Sequence, residues 1–306
     1  MTRKLLVALI CLASFTTAAA GVIAYDLGGM LYIADDDGTD ARLVTDQIGP
    51  DALGLVLDLS PDGGSIVFAA HTDEGWDIYT VGTDGSGFTR LTDFSDWDGL
   101  PSWSPDGARI AWSSMETDDG RPDIFLMDAD GANRERLTDL ENWARWPVWR
   151  PDGGYILFGY GASTYESPTV IELVLADAET GDLEQFPDLG AEIIEPCWSP
   201  DGTSIAVSAK FPGAESFDIY ILDAYWGKPE QLTFSDYDCV HPCFSDDGRL
   251  FYNTVESLDF WGDDAGTETV EEYPADICRI FVLDLETGES REVCPGNDPD
   301  WGPGVE

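Results

Sequence analysis

Positive charge is what this sequence lacks. Of 306 residues only 15 are Lys or Arg, against 60 Asp or Glu, and the formal net charge is -45. Nucleic-acid phosphates are held by clustered Lys and Arg, so DNA and RNA are excluded as partners. The same shortage excludes electrostatic attachment to an anionic membrane surface. Histidine is scarce too, at His71 and His241 only. The Gly-x-Ser-x-Gly elbow of the α/β-hydrolases and the Cys-x-x-Cys spacing of thiolate metal sites do not occur. No apolar run approaches the roughly 20 residues of a membrane-spanning helix.

What is present argues for a folded, turn-rich chain. The hydrophobic fraction is 43%, and 11 tryptophans set the sequence apart from acidic disordered chains, which are poor in aromatics. The 32 glycines and 18 prolines are spread along the chain, which suits short strands and many turns rather than helices. At the start, Met1-Thr2-Arg3-Lys4 forms a basic segment, Leu5 to Phe15 an apolar one, and Thr17-Ala18-Ala19-Ala20 a small-residue cleavage region. This is the pattern of a signal peptide over residues 1–20. It leads us to expect an exported protein, periplasmic or secreted, monomeric and without a membrane span. The acidic surface suits a saline or divalent-rich medium, which would screen it.

The rest is a repeat array. Ser60-Pro61-Asp62-Gly63 recurs as Ser104-Pro105-Asp106-Gly107, Arg150-Pro151-Asp152-Gly153, Ser199-Pro200-Asp201-Gly202 and, degenerately, Ser245-Asp246-Asp247-Gly248, at a spacing of 44 to 49 residues. Leu59, Trp103, Trp149, Trp198 and Phe244 stand just before these anchors, and Pro101, Pro147, Pro196 and Pro242 two residues further back. An alternating strand follows each anchor, such as Arg109-Ile110-Ala111-Trp112. Then comes an Asp-Ile strand (Asp77, Asp123, Asp218), a tight turn, and a last strand ending in Leu-Thr. Four short antiparallel strands per repeat make a propeller blade, which must pack on neighbours to bury both faces. Gly21–Tyr25 reads as a second strand with no first strand before it. Pro299-Asp300-Trp301-Gly302-Pro303, which matches Pro101-Ser102-Trp103-Ser104-Pro105, supplies one from the other end. The expected architecture is all-β: a six-bladed β-propeller over residues 21–306 with a composite closing blade.

The Pro-x-Trp-Ser-Pro-Asp-Gly anchor, the Asp-Ile-Tyr strand and the Asp-Gly-x-x-x-Arg-Leu-Thr segment resemble the repeats of the periplasmic TolB proteins, and related repeats occur in prolyl-oligopeptidase-like propellers. No segment fits the N-terminal α/β domain of the TolB family. The resemblance therefore implies a stand-alone exported propeller that binds an envelope or extracellular protein, or a glycan.

Functional candidates come from the repeat register. Three residues before each large anchor residue lie Val56, Leu100, Trp146, Glu195, His241 and Asp298. In this fold they are expected to ring one mouth of the central channel, where the chain enters each innermost strand. Glu195, His241 and Asp298 could there hold a divalent cation or perform acid–base chemistry, as in a polysaccharide lyase or hydrolase. No cofactor is otherwise indicated. Trp97, Trp143 and Tyr237 precede the same strands and, with Trp146, could form an aromatic platform for sugars or apolar side chains. His71 reads as a solvated loop residue, and Asp35–Asp40 as an acidic hairpin turn. The insertion from Glu256 to Asp276, with Phe260 and Trp261, reads as a recognition loop or an acidic excursion. Five cysteines follow the signal segment, and a Cys278–Cys294 bridge is one possible pairing. Three functions stay open: a binding module, a propeller enzyme using His241 with Glu195 or Asp298, and a structural array.

Overall fold

Alternating apolar residues cut by Asp-Gly turns form strands. The computed structural model describes residues 21–47, 56–72, 75–93, 97–161, 172–225, 228–255 and 278–304, and no helix occurs among them. The expected signal segment and the 256–276 insertion lie outside the described residues.

Six four-stranded antiparallel sheets follow one another around a ring. The closing blade holds β1 (Gly21–Asp26), β2 (Leu31–Asp35) and β3 (Arg42–Thr45). The second has β4 (Val56–Leu59), β5 (Ser65–Thr72), β6 (Gly75–Gly82) and β7 (Thr89–Arg90). The third has β8 (Asp98–Trp103), β9 (Arg109–Ser114), β10 (Asp123–Asp128) and β11 (Glu135–Arg136). The fourth has β12 (Trp143–Trp149), β13 (Tyr155–Gly161), β14 (Glu172–Asp177) and β15 (Leu183–Gln185). The fifth has β16 (Glu192–Trp198), β17 (Ser204–Lys210), β18 (Asp218–Asp223) and β19 (Glu230–Gln231). The sixth has β20 (Asp238–Phe244), β21 (Arg249–Val255), β22 (Arg279–Asp284) and β23 (Ser290–Pro295). The C-terminal β24 (Asn297–Pro303) returns to pair with β1, in the register Ile23 opposite Trp301. The closing blade is thus composite, with sheet order β24-β1-β2-β3.

The repeat signature residues hold each blade together. In the anchor, the Ser60 hydroxyl donates to Asp62 Oδ1 at 2.7 Å and accepts the Ser65 amide at 2.9 Å, which fixes the turn between first and second strands. Ser104 and Asp106 repeat this at 2.7 Å. The Asp of each Asp-Ile strand accepts the hydroxyl of the Thr that ends the blade, as in Thr233 to Asp218 at 2.7 Å. That Thr in turn accepts the amide of the Ile, as Thr138 does from Ile124 at 3.1 Å. A conserved-looking polar trio along the repeat is therefore a latch between the third and fourth strands.

Apolar residues fill the wedges between blades. Val67 and Ile78 of one blade meet Trp103, Ile110 and Trp112 of the next in one buried cluster. Each fully buried aliphatic or aromatic side chain contributes about 1.5–3 kcal/mol, and no blade can bury this surface alone. Cys197, Cys239, Cys243, Cys278 and Cys294 are all unbridged, so the Cys278–Cys294 pairing is not formed. His71 lies within β5 rather than in a loop, exposed and beside Trp76 at 5.5 Å between ring centroids.

Candidate functional site

The innermost strands carry a repeated irregularity. In β12, Arg145 pairs with Gly159 and Val148 with Leu157, so Trp146 and Pro147 together oppose one residue. The same shift falls between Gly99 and Ser102, between Ile194 and Cys197, and between Val240 and Cys243. Each is a β-bulge, and the residue before the proline takes a left-handed backbone: Leu100 at φ 57°, Trp146 at 55°, Glu195 at 53°, His241 at 51° and Asp298 at 52°. Non-glycine residues rarely adopt this conformation, so five in equivalent places mark a feature of the fold.

The bulged ring residues Leu100, Trp146, Glu195 and His241 lie within their innermost strands, whereas Val56 opens β4. Leu100, Trp146 and Asp298 are buried, and Leu100 and Trp146 pack in a single cluster with Ile194 and Val240. The six equivalent positions thus hold three apolar side chains, Val56, Leu100 and Trp146, and three ionisable ones, Glu195, His241 and Asp298.

Glu195, His241 and Asp298 do converge, from three successive blades. His241 Nε2 lies 2.9 Å from Glu195 Oε1 and 3.6 Å from Asp298 Oδ1. Its Nδ1 is 2.8 Å from Asn253 Oδ1. The carboxylates also reach backbone on the following strand. The His241 amide donates to Glu195 Oε2 at 2.8 Å, and the Leu57 amide to Asp298 Oδ2 at 3.1 Å. Burial opposes charge on the imidazole, but Glu195 and Asp298 overcome it and lift His241 to about 10. Burial raises Asp298 to about 7 even though His241 pulls it down. Asp26, on the neighbouring β1, is likewise raised to about 7, by burial and then by the charge of Asp298. Among the described residues, no group of three or more His, Cys, Asp or Glu is disposed to hold a metal ion.

The four aromatic candidates divide. Trp143 opens β12 and is buried under Arg145, whose guanidinium stands 4.3 Å from the Trp143 ring centroid and 5.6 Å from that of Trp97. Trp97 is half-buried and bridges to Trp76. Trp146 lies in the buried cluster with Leu100, Ile194 and Val240. Tyr237 is 51% exposed and Phe234 82%, on the connection that enters β20. These two border a groove of about 560 Å³ floored by Tyr252 and Phe281, whose rings stack 5.6 Å apart. Reasoning from the sequence missed Asn253, Arg145 and Trp76. Asn253 had a signal: it stands three residues into its second strand from Leu250, the position that Asp26 occupies in the closing blade.

A family profile described as the TolB beta propeller domain matches residues 57–170. TolB from Acinetobacter baumannii superposes with a TM-score of 0.72 at 22% identity, covering 93% of this chain and 67% of that one. The chain has the fold of a TolB-like six-bladed β-propeller. A putative TolB from Agrobacterium tumefaciens gives 0.66 at 18% identity, over 92% of this chain and 91% of that one. An oligogalacturonate lyase in complex with manganese gives 0.55 at 15% identity, over 87% and 70%. At these identities the likeness is one of fold. No curated protein sequence matches the chain.

Proposed function

We propose that this TolB-like propeller is an exported binding module, engaging an envelope or extracellular protein or a glycan through the face on which the innermost strands begin. The observation that carries this reading is the accessible aromatic surface on that face. Phe234 and Tyr237 project from a chain whose surface is otherwise strongly acidic, and Trp97 is half-accessible on the same side. Large aromatics exposed together favour recognition of apolar or sugar surfaces. Trp143, Trp146, Glu195, His241 and Asp298 form the rigid floor beneath.

The enzymatic alternative fares worse on chemistry. A general base needs a free lone pair near neutral pH. Both His241 nitrogens are engaged and its pKa lies at about 10, so the ring is a cation there. The test is capture of partners from an envelope fraction, together with a thermal-shift screen of glycans. A ligand of this face loses affinity by tenfold or more in Tyr237→Ala or Trp97→Ala. Binding that is unchanged in both variants contradicts the reading, and so does turnover of any substrate that disappears in His241→Ala.

A further inference from the structure

The seam that closes the ring differs from the other five. One residue before each large anchor residue, the innermost strands contribute Asp58, Ser102, Val148, Cys197, Cys243 and Asp300, a second set of equivalent positions. Asp300 stands on the C-terminal β24, and Asp58 on β4 of the next blade. The Leu59 amide donates to Asp300 Oδ2 at 2.6 Å, tying β24 to β4. The Trp103 amide donates to Asp58 Oδ2, tying β4 to β8. The two carboxyls also touch each other across the seam.

No cation faces them from these positions. Ser102 offers a hydroxyl to Asp58, Val148 is apolar, and Cys197, half-buried, and Cys243, buried, are thiols that desolvation keeps protonated. Among the bulged positions and their neighbours, Asp298 and Asp26 add acid, and the imidazolium of His241 is engaged by Glu195 and Asp298. Two half-buried carboxylates in contact, with no cation facing them, resist ionising together, because like charges sharing a site raise one of the two. The pair must hold a proton while the seam is shut. Burial raises both groups; the charge of Asp300 raises Asp58 further, whereas the hydrogen bond with Asp58 lowers Asp300.

We propose that closure of this propeller is a proton-dependent clasp, in which one proton held between Asp58 and Asp300 locks the C-terminal strand to the following blade and its loss at alkaline pH loosens this seam before any other. The sign follows from linkage. Groups raised in the folded state contribute stability that is complete below their unfolded pKa and lost as pH rises through the folded one. The test is hydrogen–deuterium exchange of the purified protein at pH 6 and pH 9, corrected for the chemical exchange rate. Residues 297–304 are compared with residues 143–149, the innermost strand of a blade with no carboxyl at this position. The clasp requires protection of 297–304 to fall at least tenfold more than that of 143–149. It also requires Asp300→Asn, or Asp58→Asn, to abolish the difference, because the amide replaces the shared proton. Equal changes in the two segments overturn the proposal, as does a wild-type difference that persists in either variant. If neither variant folds, the wild-type comparison decides alone.

Discussion

His241 draws the charged trio together through one imidazole ring. Its charge is stabilised by two carboxylates that have themselves been taken out of water, so each partner depends on the others. Breaking a buried ion pair from one side leaves an uncompensated charge. His241→Ala should therefore destabilise the protein by about 3–5 kcal/mol. His71→Ala, at an exposed position, should change it by about 0.5 kcal/mol or less. Urea unfolding of both variants checks this, and equal losses would place His241 outside any buried triad. Because the folded pKa of His241 is raised, its contribution is complete below the unfolded value and fades as pH rises through about 10. Imidazole NMR resonances should accordingly show His241 protonated at pH 8. At this scale the sequence was partly legible. Repeat register alone brought Glu195, His241 and Asp298 to one ring. It could not disclose Asn253, whose partner lies across a strand pair, nor the burial, which depends on how neighbouring blades fill the channel.

The strand carries the next level of the design, through bulge and latch. A left-handed residue followed by proline recurs in five innermost strands. The prolines were visible as a spacing, but the bulge was not, because a residue inserted on one strand leaves the alternation of its partner intact. The latch was visible only as signature residues of unknown purpose. Its role follows from backbone accounting: the Ile124 amide has no ladder partner and is satisfied by the Thr138 hydroxyl. Thr138→Val keeps the shape but leaves a buried donor and the Asp123 carboxylate short of a partner, so it should cost about 1–3 kcal/mol in chemical denaturation. Thr138→Ser should restore most of the loss. If the valine variant is as stable as wild type, the trio is incidental rather than a latch.

For the whole molecule, charge and closure set the limits. A formal charge of -45 on one ring is self-repelling, and screening is its relief at moderate salt. The blade count and the composite blade were legible because the repeat is strict and its missing strand was found at the other end. The seam chemistry was not, since Asp58 and Asp300 are 242 positions apart in the chain and meet only once the ring shuts. Closure rests on that strand alone, without a disulfide among the described cysteines. Ending the chain before Asn297 would strip β1 of its ladder, expose the Ile23 side that Trp301 covers, and open a sheet edge on each side of the gap. Blades in such an array are stabilised by their neighbours, so the loss should spread beyond one blade. The truncated protein is expected to melt well below the full chain, and to associate through its free edges in size-exclusion chromatography. Supplying residues 297–306 as a peptide should recover part of the melting temperature in a concentration-dependent way, since a ligand of the native state stabilises by mass action. A truncated protein that melts with the full chain would mean that the five complete blades hold the ring without the clasp.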